Sequence, residues 1–302
     1  MSNRRIVGVC LVKNEENFIG WALSNVVDFC DEILVMENHS EDRTTEIVHA
    51  FAKLHDHVRV ITVPDANKTH AHVEHWAGTD TWVFGVDGDE IYDREGLARL
   101  RPRILSGEFD DYWRIFGHTI HARALNFEEG WVAGYAAPQA RSISKLYNFA
   151  GISSWHQPNH ERLHGKDMEF RPGYHFSKAY EFWSHETWDQ SDCRCLHLCF
   201  APRSSADAVD LPRNNPVEVK KGKRVIRNLT DTVARWIDAN HDRKRNYKLR
   251  HYSAGEVVTC PLGGFGRPRD FGELVPHAAD VDTMLSAGAW SDMPLDDEYR
   301  PT

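Results

Sequence analysis

Between residues 5 and 86, short β-branched apolar runs alternate with stretches whose apolar residues recur at helical spacing, and nothing else in the chain constrains its fold as strongly. The runs RIVGVCLV at 5–12, EILVM at 32–36, VRVITV at 58–63 and WVFGV at 82–86 read as buried strands. Between the first two, Phe18, Ile19, Ala22, Leu23, Val26 and Val27 predict a helix, with Asn14, Glu15 and Glu16 ahead of it to supply a cap and first-turn negative charge. Between the next two, Ser40, Glu41 and Asp42 open a second helix whose apolar face is Ile47, Val48, Phe51 and Leu54. Strand and helix alternating at this spacing imply parallel strands, right-handed crossovers and helices on both faces of the sheet. The predicted class is α/β.

In an open parallel sheet, ligands bind beyond the carboxyl ends of the strands. The fourth run ends there on Asp87, Gly88 and Asp89. The two carboxylates stand two apart, and Gly88 leaves room for close approach of a ligand. Mg²⁺ and Mn²⁺ prefer oxygen donors and often complete their shell with substrate phosphates, so this pattern suits a divalent ion holding a nucleoside diphosphate.

The stretch VCLVKNEENFIGWALSNVVDFCDEILVMENHSEDRTTEIV, followed by WVFGVDGDE, resembles the nucleotide-sugar-binding half of family 2 glycosyltransferases with a GT-A-type fold. The resemblance is good over residues 5 to 92 and looser to about 200. It implies a Rossmann-like, mostly parallel sheet, and it implicates Val12, Lys13, Asn14 and Glu15 of the first loop together with Asp87, Gly88 and Asp89 in holding the nucleotide diphosphate and its metal. Glu37 and Asn38 are implicated too, Glu37 standing where the family has Asp in a D-x-x-S-x-D pattern; Asp42, in the same pattern, also reads as first-turn helix charge. SKLYNFAGISSWHQPNHERL resembles the family's later His-Glu motif and points to His160 and Glu161, with Glu161 as the base that draws the proton from an acceptor hydroxyl. His185, Glu186 and Asp189 compete for that role. Spacing leaves inversion or retention open. CRCLHLCF resembles the segment that carries an additional histidine ligand, here His197, beside the metal.

Other clusters read differently. Cys193, Cys195 and Cys199 surround His197, but their alternation lacks the paired spacing of structural zinc sites. His70, His72 and His75 fall in a polar segment and read as a solvated helix or loop. The middle tryptophans are core candidates, and only Trp155 has a positional argument for facing the site.

Charge divides the chain. The net formal charge is -9, yet residues 220–251 carry +8 and the remainder -17. That stretch, holding Lys220, Lys221, Lys223, Arg224 and Arg227, reads as a basic amphipathic helix that meets an anionic acceptor or lipid headgroups, or that simply has a solvated face. At 302 residues, 41% apolar and 27% charged, the chain is neither disordered nor fibrous. It has no run of about 18 apolar residues, and Lys13 interrupts any secretory leader, so a cytoplasmic protein with reduced thiols is expected, peripheral to a membrane at most.

The domains expected are a glycosyltransferase domain over 1–200, its nucleotide-sugar half about 1–110 and its acceptor half about 111–200, and a helical C-terminal extension over 201–302 with an irregular tail from about 255. The function expected is metal-dependent transfer of a glycosyl group from a nucleotide-sugar, a UDP-sugar, to an acceptor hydroxyl, with Mn²⁺ or Mg²⁺ as cofactor. The rivals are a nucleotidyltransferase of similar architecture, against which VKNEEN lacks the Gly-rich, Arg-containing phosphate loop, and a non-catalytic nucleotide-sugar or polyanion binder.

Overall fold

The computed structural model describes residues 4–140, 142–143, 145–155, 168–206 and 255–286. The four predicted strands form, as β1 (Arg5–Val12), β2 (Glu32–Glu37), β3 (Val58–Thr62) and β4 (Thr81–Gly85). They pair in parallel in the order β3-β2-β1-β4. Successive side chains of a strand point to opposite faces. Ile6, Cys10 and Val12 of β1 accordingly join the core packed on α1 (Ile19–Val26), α2 (Thr44–Leu54) and α3 (Arg94–Leu105), whereas Val7 and Val9 face the opposite side. That second face is covered by 3₁₀ turns at Ala66–His72 and Glu74–Trp76 and by a two-stranded sheet of β10 (Ile152–Trp155) and β11 (Met168–Phe170).

Beyond β4 the sheet continues with β9 (Lys145–Asn148), antiparallel to β4, then β6 (Arg114–Phe116) and β12 (Ala179–Glu181). A second, five-stranded sheet has the order β14-β8-β7-β13-β5, from β14 (Val257–Pro261), β8 (Trp131–Ala136), β7 (His118–Asn126), β13 (Arg194–His197) and β5 (Glu90–Tyr92). Helix α1 lies between the two layers: Ile19, Leu23 and Val26 pack into the first core, Phe18, Trp21 and Ala22 into the second, and all eight of its residues are buried.

Several local expectations change. No side chain caps α1 and its first turn holds no acid; the Glu15 carbonyl instead accepts from the amides of Phe18 and Ile19 at 3.1 and 2.9 Å. Helix α2 begins at Thr44, not Ser40, because Ser40 and Asp42 bond the first loop. Ile47, Val48 and Phe51 are buried as predicted, but Leu54, on the last turn, is 62% exposed. Over the described residues 255–286 the tail is not irregular: besides β14 it contains α4 (Ala278–Ser286). Leu262, Phe265, Val275, Val281 and Leu285 are part of the second core, so this portion of the expected extension is built into the main body. The basic stretch 220–251 lies outside the described residues.

Candidate active site

Strands β1, β2 and β4 are parallel and adjacent, so their carboxyl ends open on one edge of the sheet. The first loop leaves β1 at Val12, whose carbonyl accepts from the Asn38 amide at 3.0 Å. Three successive amides of this loop are then bound by side chains of the second: Asn14 to Ser40 Oγ at 3.1 Å, Glu15 to Thr44 Oγ1 at 2.7 Å and Glu16 to Asp42 Oδ2 at 3.3 Å. Asn14 Oδ1 returns a bond from the Glu41 amide at 2.7 Å. Lys13, Asn14, Glu15 and Glu16 are all buried as a result, and Asn14 takes a left-handed backbone with φ of 51°. Glu37 turns its carboxylate onto the amides of His39 and Ser40, at 3.1 and 2.6 Å, and Asn38 Nδ2 donates to the Val63 carbonyl at 2.6 Å. Both side chains therefore shape the loop. Asp42 bonds the Thr44 amide at 2.9 Å and takes a hydrogen bond from Ser204 Oγ, tying a third segment to the same cluster.

Asp87 is half-buried at the end of β4 and Asp89 is 1% exposed. A Cβ on Gly88 would stand 2.9 Å from Glu15 Cγ and 3.0 Å from its Cβ, so the room left by this glycine is filled by the Glu15 stem. Asp89 Oδ2 lies 2.6 Å from Arg203 Nη2 and 3.2 Å from His197 Nε2. Arg203 Nη1 reaches Glu15 Oε1 at 3.2 Å. One half-buried guanidinium thus joins the first loop to the Asp-Gly-Asp turn. Burial opposes its charge, but Asp89 and Glu15 outweigh that and hold its pKa above the usual arginine value. His197 Nδ1 faces His121 Nδ1 at 2.7 Å. Burial disfavours the His197 imidazolium, yet Cys199 and Asp89 beside it raise its pKa to about 10.

The second sheet brings these groups together. In register, Glu90 of β5 lies opposite His197 of β13, which lies opposite His121 of β7, which lies opposite Tyr135 of β8. Partners in register share a face, so the four form one row. Along β13 the same alternation explains the cysteines: Cys193 and Cys195 lie on the face of His197, in the core between the layers, and Cys199 follows two residues beyond it.

Other candidates lie elsewhere. Glu186 is held by Arg103 at 3.5 Å, beside Asp192 just before β13 begins, at the opposite end of that strand from His197, so it does not share the Asp89 environment. Asp189 is exposed. His160 and Glu161 lie outside the described residues. His72 and His75 are exposed on the 3₁₀ turns and His70 is half-buried there. Trp155 is 2% exposed in the core beneath the first sheet, edge-on to Phe149. A cavity of about 670 Å³ opens beside Glu16, Asp42, Arg43, Ser204 and His277, and neither Asp87 nor Asp89 lines it.

A family model described as glycosyl transferase family 2 matches residues 9–159, half of the chain, from β1 through β10. The chain belongs to glycosyl transferase family 2. No curated protein matches it. Solved structures similar to this family 2 chain include glucosyl-3-phosphoglycerate synthase from Mycobacterium tuberculosis, in complex with Mn²⁺, UDP and glucosyl-3-phosphoglycerate, at 20% identity over 39% of this chain and 44% of that one, with a TM-score of 0.27. TarS from S. aureus, residues 1–349 in complex with UDP, is 16% identical over 48% of this chain and 47% of that one, with a TM-score of 0.31. The chain thus spans less than half the length of these structures. Among the described residues, no helix is long and apolar enough to cross a membrane.

Sequence reasoning missed two members of the family 2 chain's cluster. Arg203 carries no signal beyond lying six residues after His197, and His121 is 76 residues from the partner it touches. The donor chemistry suits the expected ion: Asp87 and Asp89 offer the oxygen ligands that Mn²⁺ and Mg²⁺ take. His197, the third expected ligand, has one ring nitrogen set against Asp89 and the other against His121.

Proposed function

We propose that the chain is a metal-dependent glycosyltransferase that moves a glycosyl group from a nucleotide-sugar, a UDP-sugar, to an acceptor hydroxyl. The observation that carries this reading is the run in which half-buried Arg203 joins the buried Glu15, Asp89 and His197 at the carboxyl ends of β1 and β4, where an open α/β sheet binds its ligand. Asp87 and Asp89 would hold the divalent ion, which when bound offsets the charge of the departing diphosphate. Arg203 brings a permanent positive charge to the same place, aimed by its two carboxylate partners. A charge fixed in a dry site before the reaction needs no rearrangement as negative charge develops. His197 positions Asp89. The loop built by Val12, Lys13, Asn14, Glu37 and Asn38 frames the nucleotide. Glu161 takes the proton of the acceptor hydroxyl in an inverting transfer. The basic stretch 220–251 meets an anionic acceptor, and a cytoplasmic location at a membrane surface agrees with that charge.

The test is release of free nucleoside diphosphate. Purified protein is incubated with UDP-, GDP-, CMP- and dTDP-sugars, with and without Mn²⁺. Mn²⁺-dependent release of UDP is expected, falling on the order of 10²-fold or more in Asp87→Ala at unchanged melting temperature. Release of pyrophosphate, or turnover equal in Asp87→Ala, overturns the reading.

A further inference from the structure

The second sheet assembles a donor set of different chemistry from the Asp87 and Asp89 carboxylates. His121, His197 and Cys199 each place one ligand atom within 4.8 Å of the others, and all three are buried. We propose that these three residues bind a thiophilic transition ion of the zinc class, at a site separate from the hard-cation site of the donor diphosphate.

Three observations carry this. The first is the ligand chemistry. Two imidazoles with a thiolate select zinc-class ions, whereas Mg²⁺ and Mn²⁺ favour carboxylates and water. The second is the approach of the rings. Their Nδ1 atoms face each other at 2.7 Å, with planes inclined at 69°. Tetrahedral zinc with bonds of about 2.0–2.1 Å to nitrogen would part them to roughly 3.3 Å, a small ring rotation. On binding, the proton that the two nitrogens share leaves to solvent, and Cys199 ligates the ion as its thiolate. The third is the far side of His197. A metal-bound histidine is commonly oriented by a carboxylate on its other ring nitrogen. Asp89 stands at that position, 3.2 Å from Nε2, and is itself held by Arg203 at 2.6 Å.

The backbone supports the arrangement. His197 and His121 are register partners on adjacent parallel strands, and Cys199 follows His197 by two residues. Three protein ligands leave a fourth coordination position open. The site also links to the proposed active site through a single side chain, since the imidazole that would ligate the ion also orients Asp89. It does not depend on which sugar nucleotide is bound.

The experiment uses the full-length protein stripped with a chelator and titrated with Co²⁺, whose thiolate-to-cobalt absorption in the near ultraviolet reports sulfur ligation. One equivalent is expected to produce that band, Zn²⁺ to abolish it by displacement, and Mn²⁺ or Mg²⁺ at the same concentration to leave it. Cys199→Ser should lose the band, whereas Cys193→Ser, on the same strand face but in the core, should keep it. His121→Gln should weaken Co²⁺ binding at least tenfold, with circular dichroism confirming that each variant is folded. Should a variant not fold, the wild-type titration with Zn²⁺ and Mn²⁺ competition decides the matter. Absence of the band at saturating Co²⁺, its persistence in folded Cys199→Ser, or equal displacement by Mn²⁺ overturns the proposal. Mn²⁺-dependent UDP release is read separately, so either proposal can fail alone.

Discussion

Arg203 is the residue on which the proposed site turns. Its guanidinium is the shared partner of Glu15 and Asp89, both nearly inaccessible to water. Removing one member of a buried ion pair leaves an uncompensated charge, so Arg203→Met is expected to cost about 3–5 kcal/mol in urea unfolding. Asp89→Asn in that background should recover part of the loss, and a double-mutant cycle showing no coupling would contradict the pairing. Gly88→Ala is expected to destabilise by about 1–3 kcal/mol, since its Cβ would meet the Glu15 stem and Arg203 prevents that stem from yielding. His118 supplies a pH test. Its Nε2 lies 2.9 Å from the Glu186 carbonyl, and burial, helped by nearby Arg194, holds its pKa below 6.5. The unfolded chain therefore binds this proton first as pH falls, and stability declines below about pH 6.5. His118→Gln retains a donor but cannot titrate, so it should lose less stability between pH 7 and pH 5; equal losses would remove His118 as the cause.

At the scale of elements, periodicity tells which residues face inward only while the neighbouring element continues. Helix α2 shows the limit. Phe51 is fully buried and Leu54, three residues on, is exposed because the first-sheet core ends beneath the last turn. Phe51→Ala is expected to cost about 3–5 kcal/mol, while Leu54→Gln should stay within roughly 0.5 kcal/mol; thermal unfolding of the two variants separates them. Helix α1 departs from amphipathic expectation for the opposite reason, being covered on both sides by sheet layers. Its tight contact with the C-terminal segment is visible at Gly20, where a Cβ would fall 2.1 Å from the Leu274 carbonyl oxygen.

For the whole molecule, the expected division near residue 200 meets a structure in which residues 255–286 complete the second sheet and its core. Strand β14 pairs with β8 along five residues, and the Phe265 carbonyl accepts from Trp21 Nε1 and Asn25 Nδ2 at 2.7 and 2.8 Å. A chain ending at residue 254 would leave the edge of β8 unpaired and the apolar face beneath it open to water. It is expected to be insoluble or to lack a cooperative melting transition, and a soluble product melting with the wild type would show the tail to be dispensable.

The four parallel strands, both intervening helices and the Asp87-Gly88-Asp89 turn were legible from sequence because each is local: hydrophobic period and strand-end position are recorded within a few residues of the feature itself. The C-x-C-x-H-x-C alternation was legible as a pattern but not as chemistry, since Cys195 and His197 share a strand face and only depth along that strand separates a core thiol from a site imidazole. The pairing of Arg203 with Asp89, the seat of His121 against His197 and the union of the tail with the second sheet were decided by tertiary structure alone. Each joins segments more than 70 residues apart, and strand register across a sheet, which sets such contacts, is fixed by the packing of whole layers and leaves no mark in the local spacing of residues.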